Sequence, residues 1–205
     1  VILAVTSEIP WPTNSGGHLR SYHLLSALGR EFCVQLITTA APGGGQGGAE
    51  LACRGVTPRI VPVGPRRWWR DAGCVVSSAL RGEPCVLYRR HDHTAVRQAI
   101  EDHVHRQPPD LVYFDHLDPL VYRSLVSGIP LVMDFHNIYS TLLERVSRQQ
   151  RSGLMRAYLG HEARLLSRME RAAVHTADLV LTVSEDERRY FEILGAKAVQ
   201  VVPNG

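Results

Sequence analysis

Residues 110–137 read DLVYFDHLDPLVYRSLVSGIPLVMDFHN, from Asp110 to Asn137. Two apolar runs, Leu111–Phe114 and Pro130–Phe135, bracket a polar turn and a segment of helical periodicity. Leu117, Leu120, Val121 and Leu125 recur at the spacing that places side chains on one helix face. Asp118 suits the cap of that helix, and Pro119 its first position, where the missing N–H has no helical partner. Gly128 is expected to end the helix and Pro130 to forbid its return. Strand, helix and strand in this order predict a crossover within a parallel sheet. In open α/β sheets, ligands bind at the carboxyl ends of strands. His116 follows the first strand, and Asp134, His136 and Asn137 end or follow the second. These four residues are expected to share one rim of the sheet.

The alternation extends in both directions. Val1–Thr6 is a continuous apolar run, as in a strand buried on both faces. Ser7–Gly17 is a shaped loop with two prolines and two adjacent glycines, and a helix is expected from His18 to Leu28, closed by Gly29. The helix start after Gly16 and Gly17 presents free N–H groups and a positive dipole end. Two readings stay open there: an anion site that glycine lets a phosphate approach, or a turn and nothing more. Cys33–Thr39 and Arg59–Val63 read as strands, and Pro42–Gly48 (PGGGQGG) as a loop without the spacing of a dinucleotide fingerprint. Arg66–Leu80 reads as an amphipathic helix in which Arg66, Arg67 and Arg70 adjoin Trp68 and Trp69. Its tryptophans either pack on the domain or lie at a membrane surface. Val86–Tyr88 suggests a short edge strand, and Val96, Ala99, Ile100 and Val104 mark another helix. His91, Asp92 and His93 carry metal-binding groups, but adjacent positions rarely converge on one ion, and no metal is expected.

After the central stretch, Ile138–Ala177 is a long helical region with a break near Ser152–Gly153 and a polar face rich in arginine. Arginine pairs well with phosphate, although a solvated face with local glutamate partners is the default. Leu179–Val183 is a strand, Ser184–Glu187 forms a capping box for a helix to Leu194, and Val199–Val202 is a last strand. Strands alternating with helices predict an α/β fold: a Rossmann-like, doubly wound, mostly parallel sheet with helices on both faces.

The chain has 205 residues, enough for a substantial core, and its net charge of +3 tolerates an anionic partner without implying nucleic acid. Cys33, Cys53, Cys74 and Cys85 form no C-x-x-C pair, so reduced thiols in a cytoplasmic protein are expected. No apolar run approaches the length of a membrane span, and Val1 opens directly into a strand. The expected location is therefore the cytoplasm, with at most weak peripheral contact at the inner face of the membrane. The missing initiator Met suggests a start slightly inside the gene product.

Several of these stretches, in this order, resemble the N-terminal domain of glycosyltransferase family 4, the group 1 retaining transferases of GT-B fold. The Pro12-to-Gly17 loop looks like that family's glycine loop. PDLVYFDHLDPLVYRSL is similar to its strand ending in His, then Pro, then a helix. PLVMDFHN resembles its Asp-x-His strand end, ADLVLTVSEDERRYFEILG its strand and following helix, and VVPNG its interdomain hinge. The resemblance implies that residues 1–202 form an acceptor-binding domain and that 203–205 begin the hinge. A second domain beyond Gly205 would hold most of the nucleotide-sugar, so this stretch alone is expected to be inactive. The implied reaction is hexosyl transfer, with retention, from a nucleotide-sugar to a glycan, lipid-linked or small-molecule acceptor, with no cofactor and no metal. It further implies His116 at the transferred sugar as the catalytic residue. Gly16 and Gly17 would meet the phosphate or an anionic acceptor, helped by Arg20. Asp134, His136 and Asn137 would line the acceptor side, with Ser184 and Glu185 at a neighbouring strand end. Half of a sugar-nucleotide epimerase and a non-catalytic Rossmann-like partner domain are the alternatives.

Overall fold

The computed structural model describes residues 1–40, 46–64, 73, 82–85 and 89–204. Seven strands form one sheet: β1 (Ile2–Val5), β2 (Val34–Ala40), β3 (Val56–Pro62), β4 (Leu111–Asp115), β5 (Leu131–Asp134), β6 (Leu179–Thr182) and β7 (Val199–Val201). All neighbouring strands pair in parallel, in the order β3-β2-β1-β4-β5-β6-β7. The chain builds outward from β1 to β3, then returns to the other side of β1. The order therefore reverses between β1 and β4, and a crevice opens there at the carboxyl edge.

The helices are α1 (Gly16–Glu31), α2 (Gln46–Ala52), α3 (Thr94–Arg106), α4 (Tyr139–Arg148), α5 (Gly153–Thr176) and α6 (Glu185–Ile193), with 3₁₀ segments at Arg89–His91 and Asp118–Val126. Successive strand residues point to opposite faces, and both faces are covered. Leu3, Val5, Val112, Phe114, Leu131 and Met133 join the core beneath α3, α5 and α6. Ile2, Ala4, Tyr113 and Val132 join the core beneath α1, with Tyr22 and Leu25. The same parity turns Asp115 and Asp134 toward α1, and their Cα positions are register partners on adjacent strands.

Several local expectations are corrected. The helix after the glycine loop starts at Gly16, two residues early, and runs through Gly29 to Glu31. Gly29 is there for proximity: a Cβ would sit 2.6 Å from the Arg54 carbonyl oxygen, where the α2–β3 turn crosses the helix. Residues 46–48 open α2 and are not loop. The third strand begins at Val56, ahead of Arg59. The central crossover helix is a 3₁₀ segment with Leu117 at its cap position and no side-chain cap bond. Asp118 instead accepts a hydrogen bond from the Ser7 hydroxyl, 2.9 Å away, and so joins the β1 loop to the β4 loop. The break in the long helical region is real, and the Ser152 hydroxyl caps α5 by accepting from Met155 N–H. The Arg66–Leu80 helix and the Val86–Tyr88 strand fall on or largely on residues outside those described.

Candidate functional site

The crevice between the β1 and β4 loops is an open cleft of about 340 Å³. Ser7 and Glu8 line it from the β1 side, Gly17 and His18 from the start of α1, and Asp115, His116, Asp118 and His136 from the strand ends. His116 lines it with a φ of 85°, the one non-glycine residue with positive φ among the described residues. A histidine there is strained, and such strain persists where the surroundings over-determine the backbone. Here the His116 N–H donates to the Asp134 carbonyl at 2.9 Å, and the imidazole packs edge-on to His136 with ring centroids 4.5 Å apart. The Tyr139 hydroxyl, from the first residue of α4, bonds to the His116 ring nitrogens. Burial, joined by the charge of His136, moves His116 below the usual histidine range, so it is neutral near pH 7.

Beneath the cleft floor lies a compact ionic cluster. Arg20 on α1 grips Asp134 bidentately, with Nε 3.0 Å from Oδ2 and Nη2 2.6 Å from Oδ1. The two side chains are 2% and 0% exposed. Asp134 also accepts from the Tyr113 hydroxyl at 2.9 Å, and Asp115 from Ser21 at 2.7 Å. His136 Nε2 stands 3.0 Å from Asp115 and 3.3 Å from Asp134. Burial alone would depress His136, but hydrogen bonds to the two carboxylates and their charges reverse this and raise it to about 9. Burial would likewise raise Asp134, yet His136 and Arg20 hold it below the usual carboxylate range. Two carboxylates and two cations thus balance. Both His136 nitrogens then carry protons, and Nδ1 has no hydrogen-bond partner. It lies 3.5 Å from where a Cβ on Gly17 would stand, beside the amino end of α1. A buried imidazolium N–H and a helix N-terminus meeting at one cleft make a setting for an anion.

Asp115, Asp134 and His136 bring ligand atoms within 4.8 Å of one another, the spacing of a metal site. Their oxygens already accept from Arg20, Tyr113, Ser21 and His136, so the donor set fits a closed ion-pair cluster better than a cation site.

The expected residues divide accordingly. Gly17, His116 and His136 line one cleft. Asp134 and Arg20 do not line it, because strand parity and the α1 packing turn each onto the other below the floor. Gly16 precedes Gly17 with open space beside it, and Asn137 is exposed just past the rim. Ser184 is occupied as the α6 cap, accepting from Glu187 N–H, and Glu185 pairs with Arg188 on the exposed face of that helix. Sequence reasoning missed Asp115, Asp118, Tyr113 and Tyr139. Asp115 was legible in principle, since it ends β4 where Asp134 ends β5. Tyr139 carried no such signal, because its approach to His116 depends on where α4 begins.

This arrangement is a strand-end cleft in an α/β domain built on a seven-stranded, all-parallel sheet. The chain belongs to the glycosyl transferase 4-like domain family, which matches residues 15–205. Among solved structures it is similar to sucrose-phosphate synthase from Thermosynechococcus elongatus, with 13% identity and a TM-score of 0.59, over 98% of this chain and 47% of that one. A second structure of that synthase matches with 13% identity and a TM-score of 0.51, over 100% of this chain and 88% of that one. A UDP-glucose:anthocyanidin 3-O-glucosyltransferase in complex with UDP matches at 12% identity and a TM-score of 0.53, over 100% of this chain and 52% of that one. At such identities the likeness is one of fold. The chain spans about half the length of the first and third of these structures. No curated protein matches the sequence significantly. No helix among the described residues is long and apolar enough to cross a membrane.

Proposed function

We propose that this chain is the acceptor-side domain of a retaining glycosyltransferase that moves a hexose from a nucleotide-sugar to a glycan, lipid-linked or small-molecule acceptor. The observation that carries the reading is the cleft at the sheet's reversal, where the charged His136 with its unpartnered Nδ1 and the amino end of α1 flank the neutral His116. Glycosyl transfer breaks the bond between sugar C1 and the diphosphate, and negative charge grows on the leaving phosphate. Donors fixed in advance at that position contribute most where charge develops. His136 Nδ1–H and the Gly16 and Gly17 N–H groups are such donors, for the leaving phosphate or for an anionic acceptor group. His116 orients the transferred sugar, with its ring held by the Tyr139 hydroxyl. Asp134, with Asp115, keeps His136 protonated and in place, and Arg20 fixes Asp134. Asn137 at the rim meets the acceptor. Residues 203–205 lead toward a second domain that supplies most of the donor contacts.

The test has two arms. The complete polypeptide, incubated with a panel of nucleotide-sugars, should release free nucleoside diphosphate only when an acceptor is present, whereas an epimerase would interconvert sugars without one. Residues 1–205 alone should bind nucleotide-sugars no tighter than the millimolar range, about 4 kcal/mol by calorimetry. Micromolar binding would reverse the assignment of the two halves.

A further inference from the structure

The hairpin of α4 and α5 stands partly clear of the core. The second half of α5 supplies Leu166, Met169, Ala173 and Val174 to the sheet's core, while the turn and the start of α5 supply nothing to it. The two helices are tied together where the Ser147 hydroxyl donates to the Arg156 carbonyl at 2.9 Å. Residues 151–157 are exposed without interruption. Leu154 is 84% and Met155 45% exposed, and Leu142 and Val146 on α4 are exposed as well. Such a group of large apolar side chains has no covering partner among the described residues.

The charges around it indicate what covers it. Arg145, Arg148, Arg151, Arg156 and Arg164 are all exposed, against the single exposed Glu144, which pairs with Arg148 at 2.6 Å. Arg145 and Arg151 have no ion-pair partner among the described residues. We propose that the tip of this hairpin docks on an anionic lipid surface, with Leu154 and Met155 entering the headgroup boundary and the arginines meeting lipid phosphates. A stable protein interface needs a broad face of about 800 Å² per partner, and a narrow two-helix tip offers little of that. Apolar side chains within a collar of arginines match an interfacial lipid anchor. Tyr139, the first residue of α4, touches His116, and α4 is ten residues long. The docked tip therefore lies roughly 15 Å from the cleft, one helix length. A consequence that rests on the transferase reading is that the acceptor reaches the cleft from the lipid surface.

Vesicle sedimentation tests the docking with no turnover involved, so its failure leaves the transferase reading standing. The chain should bind phosphatidylcholine vesicles containing phosphatidylglycerol and should not bind phosphatidylcholine alone. Replacing Leu154 and Met155 with serine, or Arg145 and Arg151 with glutamate, should weaken binding about tenfold or more without moving the thermal midpoint, since all four side chains are exposed. Equal binding to both vesicle types, no binding to either, or unchanged binding by the variants would each overturn the proposal. So would self-association that the serine variant abolishes, because the tip would then be a contact between copies of this chain.

Discussion

Arg20 and Asp134 lie 114 positions apart and form a buried bidentate ion pair. The same guanidinium donates from Nη1 to the Val202 carbonyl at 2.5 Å and to Asn204 Oδ1 at 3.1 Å. One side chain therefore joins the first helix, the end of β5 and the segment leaving β7. Removing one partner of a buried pair strands the other charge. Arg20→Met should cost about 3–5 kcal/mol in denaturant unfolding. Arg20→Lys should recover only part of this, because an ammonium cannot reproduce the planar fork. A loss below about 1 kcal/mol for Arg20→Met would show that Asp134 is not left with an uncompensated buried charge.

The cluster also sets a pH window. His136 is raised from 6.5 to about 9 in the folded state, so folding favours its protonated form. Its contribution is fully present below pH 6.5 and is lost as pH rises through about 9. Asp134 is shifted the other way. Its contribution is present above 3.8 and is lost as pH falls below that. Melting temperature against pH should decline on the alkaline side between these two histidine values. His136→Gln should flatten that decline, and an identical alkaline slope in the variant would assign it to other groups.

Gly29 and Gly55 meet back to back. A Cβ on Gly55, whose φ is +82°, would lie 2.4 Å from the Gly29 carbonyl oxygen. Gly29→Ala should cost about 1–3 kcal/mol through overpacking against the turn. Gly55→Ala should cost more, since it adds an unfavourable φ to the clash. Comparable melting of both variants and the parent would show that the helix and turn separate freely.

Glu170 on α5 is fully buried and accepts from Ser140 N–H at 2.9 Å, from the Ser140 hydroxyl at 2.5 Å and from the Tyr190 hydroxyl at 3.1 Å. It holds the first turn of α4, the turn that presents Tyr139 to His116. Glu170→Ala leaves these donors unsatisfied and should cost about 1–3 kcal/mol. Glu170→Gln keeps an acceptor and should lose less. Equal losses for the two variants, read by denaturant titration, would mean that a neutral amide cannot stand in for the carboxylate as acceptor of these bonds.

The layered α/β fold was legible because periodicity survives in the sequence. VILAV and LVMD are apolar on both faces, and only a doubly covered strand needs that. The rim residues His116 and His136 followed from strand ends. Arg20 was placed on the correct helix, but its direction was not legible. An arginine one turn into a helix reads as a free cation until β5 brings a carboxylate beneath it. Asp118 was misread as a cap because capping chemistry is local, while its partner Ser7 lies in a different loop. The 3₁₀ winding of 118–126 likewise depends on how the crossover packs and not on which residues face inward.

The most direct test is His116→Asn in the complete polypeptide that carries this domain. Asparagine tolerates the left-handed backbone that His116 adopts at φ 85°, so the variant isolates the imidazole from the strain. Its unfolding free energy should stay within about 1 kcal/mol of the parent. Turnover should fall roughly 10²-fold or more, about 2.7 kcal/mol of lost transition-state stabilisation. A variant that unfolds normally and turns over within a few-fold of the parent would contradict the assignment of this cleft as the place of sugar transfer.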